Sequence, residues 1–250
     1  MSGCLGRWGE CPIALLVSPK HGRGMTRPMF IRRIAQATVA AQILFVVGFL
    51  VVGAAEGHGY QWMRDDISDL GALTAHHATV WRLLLLVTGA VTMVFGLLVV
   101  GPVFGSPLAG VLVALSLPAF DNVTDAFFRL DCRAADPGCT ASQAVSSWHG
   151  TAHIVCFAVA ALATVIAPFV LGRAMSREER WRSRSRSVRW FGLLTVVLLV
   201  VTGAASGSPV QGLAQRVAAT VIPLGVAAVA WLVVEQERPV TRVADLVRGK

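Results

Sequence analysis

Charge is scarce in this chain. Of its 250 residues only 14% are charged and 55% are hydrophobic, and the mean hydropathy is +0.65. Soluble domains carry about 25% charged residues, so the composition excludes an ordinary soluble enzyme. It also excludes a disordered chain, which would be poor in Leu, Val and Ile. Polar interruptions are missing from the long apolar runs. Those runs are hydrophobic on every face, which excludes amphipathic surface helices and a soluble helical bundle. The apolar stretch CPIALLV is too short for a signal peptide and is followed by Lys20 and His21 rather than a cleavage site. CxxC metal spacing is absent, which argues against a zinc knuckle. No internal repeat is visible, and the polar residues gather toward one face; both features disfavour a small transporter, which usually binds near the midplane between repeats.

What is present is a set of membrane spans. A bilayer core of about 30 Å needs roughly 20 apolar residues per helix. Six stretches fit, near residues 34–55, 81–100, 107–128, 149–171, 190–205 and 213–234. The third is unusual. Its apolar part, Leu108–Phe120, is too short to span, contains Pro118, and must be extended through Asp121 and Asp125. The expected fold is all-α: a polytopic transmembrane helical bundle of six spans. Residues 1–28 read as a disordered or mis-assigned extension, with Met25 and Met29 as alternative starts. The membrane domain covers 29–236, and a tail follows from 237 to 250.

The net charge of +8 and pI near 10.2 raise the question of nucleic acid. Sorting the charges by side of the six-span topology answers it. The segment before the first span, the segment 172–189 and the residues after the last span (235–250) hold 17 of the 22 basic residues and 6 of the 14 acids, a net of +11. The opposite side is at −3. By the positive-inside rule both termini are cytoplasmic, and the protein is a multi-pass cell-membrane protein whose partners are lipids rather than nucleic acid. The Arg/Ser-rich segment 172–189 reads as a loop facing anionic lipid. Trp81 and Trp148 are expected at the outer interface, Trp190 and Trp231 at the inner one.

Polar residues collect on the outer side. Cys132 and Cys139 flank a Pro-Gly turn there, and an oxidising compartment permits a disulfide between them. Ser68 and Asp69 precede Gly71, which can end a short helical turn, and Asp66 or Ser68 is a candidate cap for it. Asp121 and Asp125, at i and i+4, share a helix face. Carboxylates in an apolar span are costly unless paired, metal-bound or open to a water-filled cavity, and Arg82, Arg129 and Arg216 are candidate partners. Arg216, one turn into the last span, is expected to form a structural ion pair with Asp125. His149 and His153, also at i and i+4, suit a zinc site seen from one helix face, with Asp121 as third ligand. The alternative is that His149 is interfacial and His153 bonds a neighbouring carboxylate.

At these residues the chain resembles domain-of-unknown-function family 998, six-helix membrane proteins of prokaryotes. The matching elements are Ile67-Ser68-Asp69-Leu70-Gly71, Phe128-Arg129-Leu130-Asp131-Cys132 with Cys139, Ser147 to His153, and Gly212 to Arg216. The resemblance implies Ser68, Asp69, Asp131, His153 and Arg216 as family-type positions, and it implies no activity. The constellation of Ser, Asp and HxxxH also resembles membrane hydrolases of the alkaline ceramidase and adiponectin-receptor type. Those have seven core helices and a third histidine within a span, which this chain lacks. Two readings follow. One is a membrane protein whose outer Asp/His/Ser/Arg cluster binds a lipid head group or small ligand. The other is a zinc-dependent lipid hydrolase, with His149, His153 and Asp121 on the metal and Ser68, Asp69 and Asp131 as catalytic groups.

Overall fold

The computed structural model describes residues 27–57 and 59–237. Of the extension expected over residues 1–28, residues 1–26 lie outside the described residues, as do His58 and residues 238–250 of the tail; Arg27 and Pro28 already belong to the first helix. Apolar backbone away from water must satisfy its N–H and C=O groups internally. Among the described residues every regular element is accordingly helical. The helices are α1 (Arg27–Glu56), α2 (Ala78–Val103), α3 (Pro107–Ala114), α4 (Leu117–Asp125), α5 (Ala141–Ala144), α6 (Trp148–Arg177), α7 (Glu179–Ala204) and α8 (Gln211–Gln236). Five of them, α1, α2, α6, α7 and α8, are long and apolar enough to cross a membrane, and α3 with α4 makes a sixth candidate, bent by 44°. Their outer flanks carry an apolar belt: Val51, Leu83, Leu162 and Val200 are all more than half exposed. The chain is built as a multi-pass membrane protein.

The interior has two buried clusters. One groups Ile31, Phe95, Phe104, Met175, Trp181 and Val233. The other groups Phe45, Phe49, Leu70, Trp81 and Leu85. Close helix approach depends on small residues. A Cβ on Gly96 would stand 2.7 Å from Gly110 O, so α2 and α3 touch backbone to backbone. A single π turn, Gly96–Val100, lies in α2 at this contact.

The break between α3 and α4 falls at Leu115 and Ser116, just before Pro118 in the first turn of α4. Leu117 donates its N–H to Thr164 Oγ1 of α6 at 2.8 Å, and Ser116 Oγ donates to Val113 O at 2.6 Å. Side chains thus repair the hydrogen bonds that the break releases.

Two expectations change. The Arg-rich segment 172–189 is helical rather than a loop: α6 runs to Arg177, α7 starts at Glu179, and only Glu178 is extended, with φ −101° and ψ 120°. Arginine is a good helix former, and Trp181 anchors the turn by packing on Phe104, ring centres 4.9 Å apart. Trp81 is not at an interface; it is buried against Phe45, whereas Trp148, Trp190 and Trp231 are exposed.

Candidate functional site

The ends of α1, α4 and α7, the starts of α2, α6 and α8, and the loops joining them meet at one end of the bundle. This end carries most of the described acids. The loop after α1 folds over it. Ile67 and Leu70 are buried, Trp62 is exposed, and Ser68–Gly71 forms one 3-10 turn as expected. Neither Asp66 nor Ser68 caps that turn. Asp66 instead accepts a bond from Gln211 Nε2 at 2.5 Å, and Ile67 N donates to Gln215 Oε1 at 2.5 Å. The two glutamines, at i and i+4 on α8, hold the loop. The loop in turn serves α8. Gly212 N donates to Arg64 O at 3.2 Å and Leu213 N to Met63 O at 2.9 Å, which satisfies orphan donors of the first turn.

Arg216 does not pair with Asp125. Its Nη1 donates to Asp65 O at 2.7 Å and Gly212 O at 2.9 Å, and its Nη2 to the Tyr60 hydroxyl. Arg82 donates to Ala126 O at 2.6 Å, and Arg129 to Gly71 O and Ala72 O. The reason is common to all three. Loop carbonyls packed on a membrane domain need donors as much as carboxylates do, and the guanidinium fork supplies several at once. Asp125 is met by His153, whose Nδ1 lies 2.7 Å from Asp125 Oδ1.

A second network seals the loops. Glu56, fully buried at the end of α1, accepts from His76 N (2.8 Å), His77 N (3.2 Å) and Arg133 Nη1 (2.6 Å). Arg133 also pairs with Asp136 at 2.7 Å, within the loop that the Cys132–Cys139 disulfide closes. Sequence reasoning missed Glu56 and Arg133. The available signal was a lone acid ending an apolar run.

Beneath the loops lies a cavity of about 460 Å³. Asp66, Ser68, Asp121, Asp125, His153 and Gln215 give it a polar end, and Phe45, Leu85, Leu117, Phe157 and Leu199 give it apolar walls. The break between α3 and α4 exposes Leu117 and Pro118 to it. Ile154 and Phe157 of α6, and Gly203 of α7, line it and are themselves exposed.

Of the sequence-derived candidates, the cavity gathers Ser68, Asp121, Asp125 and His153 and leaves out Asp69, Asp131, His149 and Arg216. Asp69 is buried behind it, where Ala134 N donates to its Oδ2 at 3.3 Å; burial and the nearby Asp66 raise its pKa to about 7. Burial likewise raises Asp66, against the bond from Gln211. Asp131 holds the start of α6, accepting from Ser147 N at 2.8 Å and Ser146 Oγ at 3.1 Å; the bonds from Ser147 lead in lowering its pKa. Of the three expected catalytic groups, Ser68 lines the cavity and Asp69 and Asp131 do not. Nor do His149, His153 and Asp121 form a ligand set. His149 is stacked on Trp148, ring centres 3.7 Å apart, and His153 is occupied by Asp125. Among the described residues no three His, Cys, Asp or Glu side chains converge on a point fit for zinc or another metal.

A family profile described as "Protein of unknown function (DUF998)" matches residues 39–232. No curated protein and no solved structure matches the chain.

Proposed function

The chain belongs to the DUF998 family of proteins of unknown function, and from there we propose that it is a six-span cell-membrane protein that binds a small amphiphile in its cavity. The bent pair α3 and α4 counts as one span in this reading, so both termini and the Arg-rich α6–α7 turn lie in the cytoplasm. The charge asymmetry supports that orientation. The Cys132–Cys139 disulfide supports it too, since such bonds persist outside the cytoplasm. The cavity then opens toward the outer leaflet.

The observation that carries the reading is the cavity itself. Asp66, Asp121, Asp125 and His153 line it together with uncharged polar groups such as Asn122 and Thr202, and most of the remaining lining is apolar. Ligand sites are typically concave and mostly apolar, with a few placed polar groups, and about 300–1,000 Å³ in volume. A molecule with a polar head and an apolar body matches both parts. Ile154, Phe157 and Gly203 mark where it would enter, from the flank between α6 and α7.

The test is to fill the space. Ala161 lines the cavity, and Ala161→Trp projects an indole into it. Small amphiphiles extracted from purified protein are compared by mass spectrometry between wild type and a variant of unchanged elution volume. The expected result is a species enriched with wild type and lost from the variant. Identical extracts would overturn the reading.

A further inference from the structure

The cavity is acidic, and among the described residues no arginine or lysine lines it. Three carboxylates, Asp66, Asp121 and Asp125, face it with one histidine, His153. Arg82, Arg129 and Arg216 are turned to backbone carbonyls. Two of the acids have side-chain partners: Asp66 takes the Gln211 amide and Asp125 faces His153. Asp125 Oδ1 and His153 Nδ1 stand 2.7 Å apart as an ion pair without a hydrogen bond. Among the described residues Asp121 has neither: it is only 9% exposed, it lines the cavity, and its Oδ1 has no hydrogen-bond partner. A buried carboxylate oxygen without a donor is costly, so the geometry asks for a donor from within the cavity.

The inference rests on the amphiphile reading and gives the head group its sign. We propose that the cavity selects a cationic head, an organic ammonium on an apolar chain, with Asp121 as its counter-ion. An ammonium supplies up to three N–H donors and the opposite charge. A phosphate or carboxylate head would instead meet three carboxylates and no Lys or Arg, and like charges brought together out of water repel strongly. A bare metal ion is not the fit, because no three ligands converge among the described residues and the apolar walls would go unused.

Binding of radiolabelled dodecylamine to the full chain in phosphatidylcholine nanodiscs, corrected with empty nanodiscs, tests this. Dodecanol and dodecyl sulfate serve as competitors of equal chain length. Dodecylamine should bind saturably and about tenfold more tightly than dodecanol, a difference of about 1.4 kcal/mol. Asp121→Asn should erase that preference, so that amine and alcohol bind the variant with equal affinity. Equal affinity for amine and alcohol would overturn the cationic assignment and leave the amphiphile reading standing. Tighter binding of dodecyl sulfate would overturn it as well. Absence of saturable binding by all three would overturn both. If Asp121→Asn does not fold, the wild-type comparison of amine with alcohol still decides.

Discussion

Asp69 is a buried carboxyl whose pKa is raised from 3.8 to about 7, first by burial and then by Asp66. Between those values the unfolded chain has released a proton that the folded chain keeps. Through this residue, stability falls as pH rises from about 4 to about 7. Asp69→Asn removes the charge and retains an acceptor for Ala134 N. Its thermal midpoint in detergent should lie above wild type at pH 8 and converge with it near pH 4; a wild-type advantage at pH 8 would refute this. Thr164 makes a second residue-level test. Its hydroxyl accepts from Leu117 N across the break in the bent pair. Thr164→Val keeps the shape but strands that N–H, at a cost of about 1–3 kcal/mol, measurable as a lower midpoint of unfolding. At this scale the sequence was informative about which residues matter and poor on their partners. Asp121, Asp125, His153 and Ser68 were all legible, since polar groups in apolar runs stand out. The partners of Arg216 were not: the expected pair with Asp125 does not form, because a sequence displays charges and conceals the backbone carbonyls that compete for them.

Among the elements, the loop over the acidic end depends on Glu56 and Arg133, 77 positions apart. Arg133→Met would leave the buried Glu56 carboxyl without its guanidinium partner, and breaking such a pair costs about 3–5 kcal/mol. Circular dichroism melts should show the drop, and limited proteolysis should find the Cys132–Cys139 loop newly cleavable; an unchanged melt would show that Glu56 is satisfied by His76 N and His77 N alone. The α2–α3 contact gives another prediction. Gly110→Leu drives a side chain against Gly96 O and Gly101, so the protein should elute as aggregate on size exclusion, whereas Gly203→Leu, at a position with open space, should not. The long helices and the weakness of the third apolar stretch were readable from apolar length, Pro118 and Asp121. The helical continuation through residues 172–189 was not, because arginines that favour helix locally also mark a loop by charge, and only packing of Trp181 on Phe104 decides between them.

For the molecule as a whole, sidedness is the open proposition. Single cysteines introduced at Arg184 and Asp136 in an otherwise cysteine-free background, with the native disulfide pair replaced by serine, should react oppositely to a membrane-impermeant maleimide in intact cells: the former protected, the latter labelled. The reverse pattern would invert the topology and move the cavity to the cytoplasmic leaflet. The bent pair α3 and α4 has one more consequence, for biogenesis. Its apolar core is short, it holds a proline, and it ends in two aspartates, so alone it is a poor substrate for insertion into a bilayer. Yet its first helix meets α2 backbone to backbone at Gly96 and Gly110, and its second hangs on a hydroxyl of α6. The segment is therefore expected to leave the insertion machinery as a hairpin with α2 and to settle only when α6 arrives, so the cavity takes shape late in synthesis, after the helices that surround it.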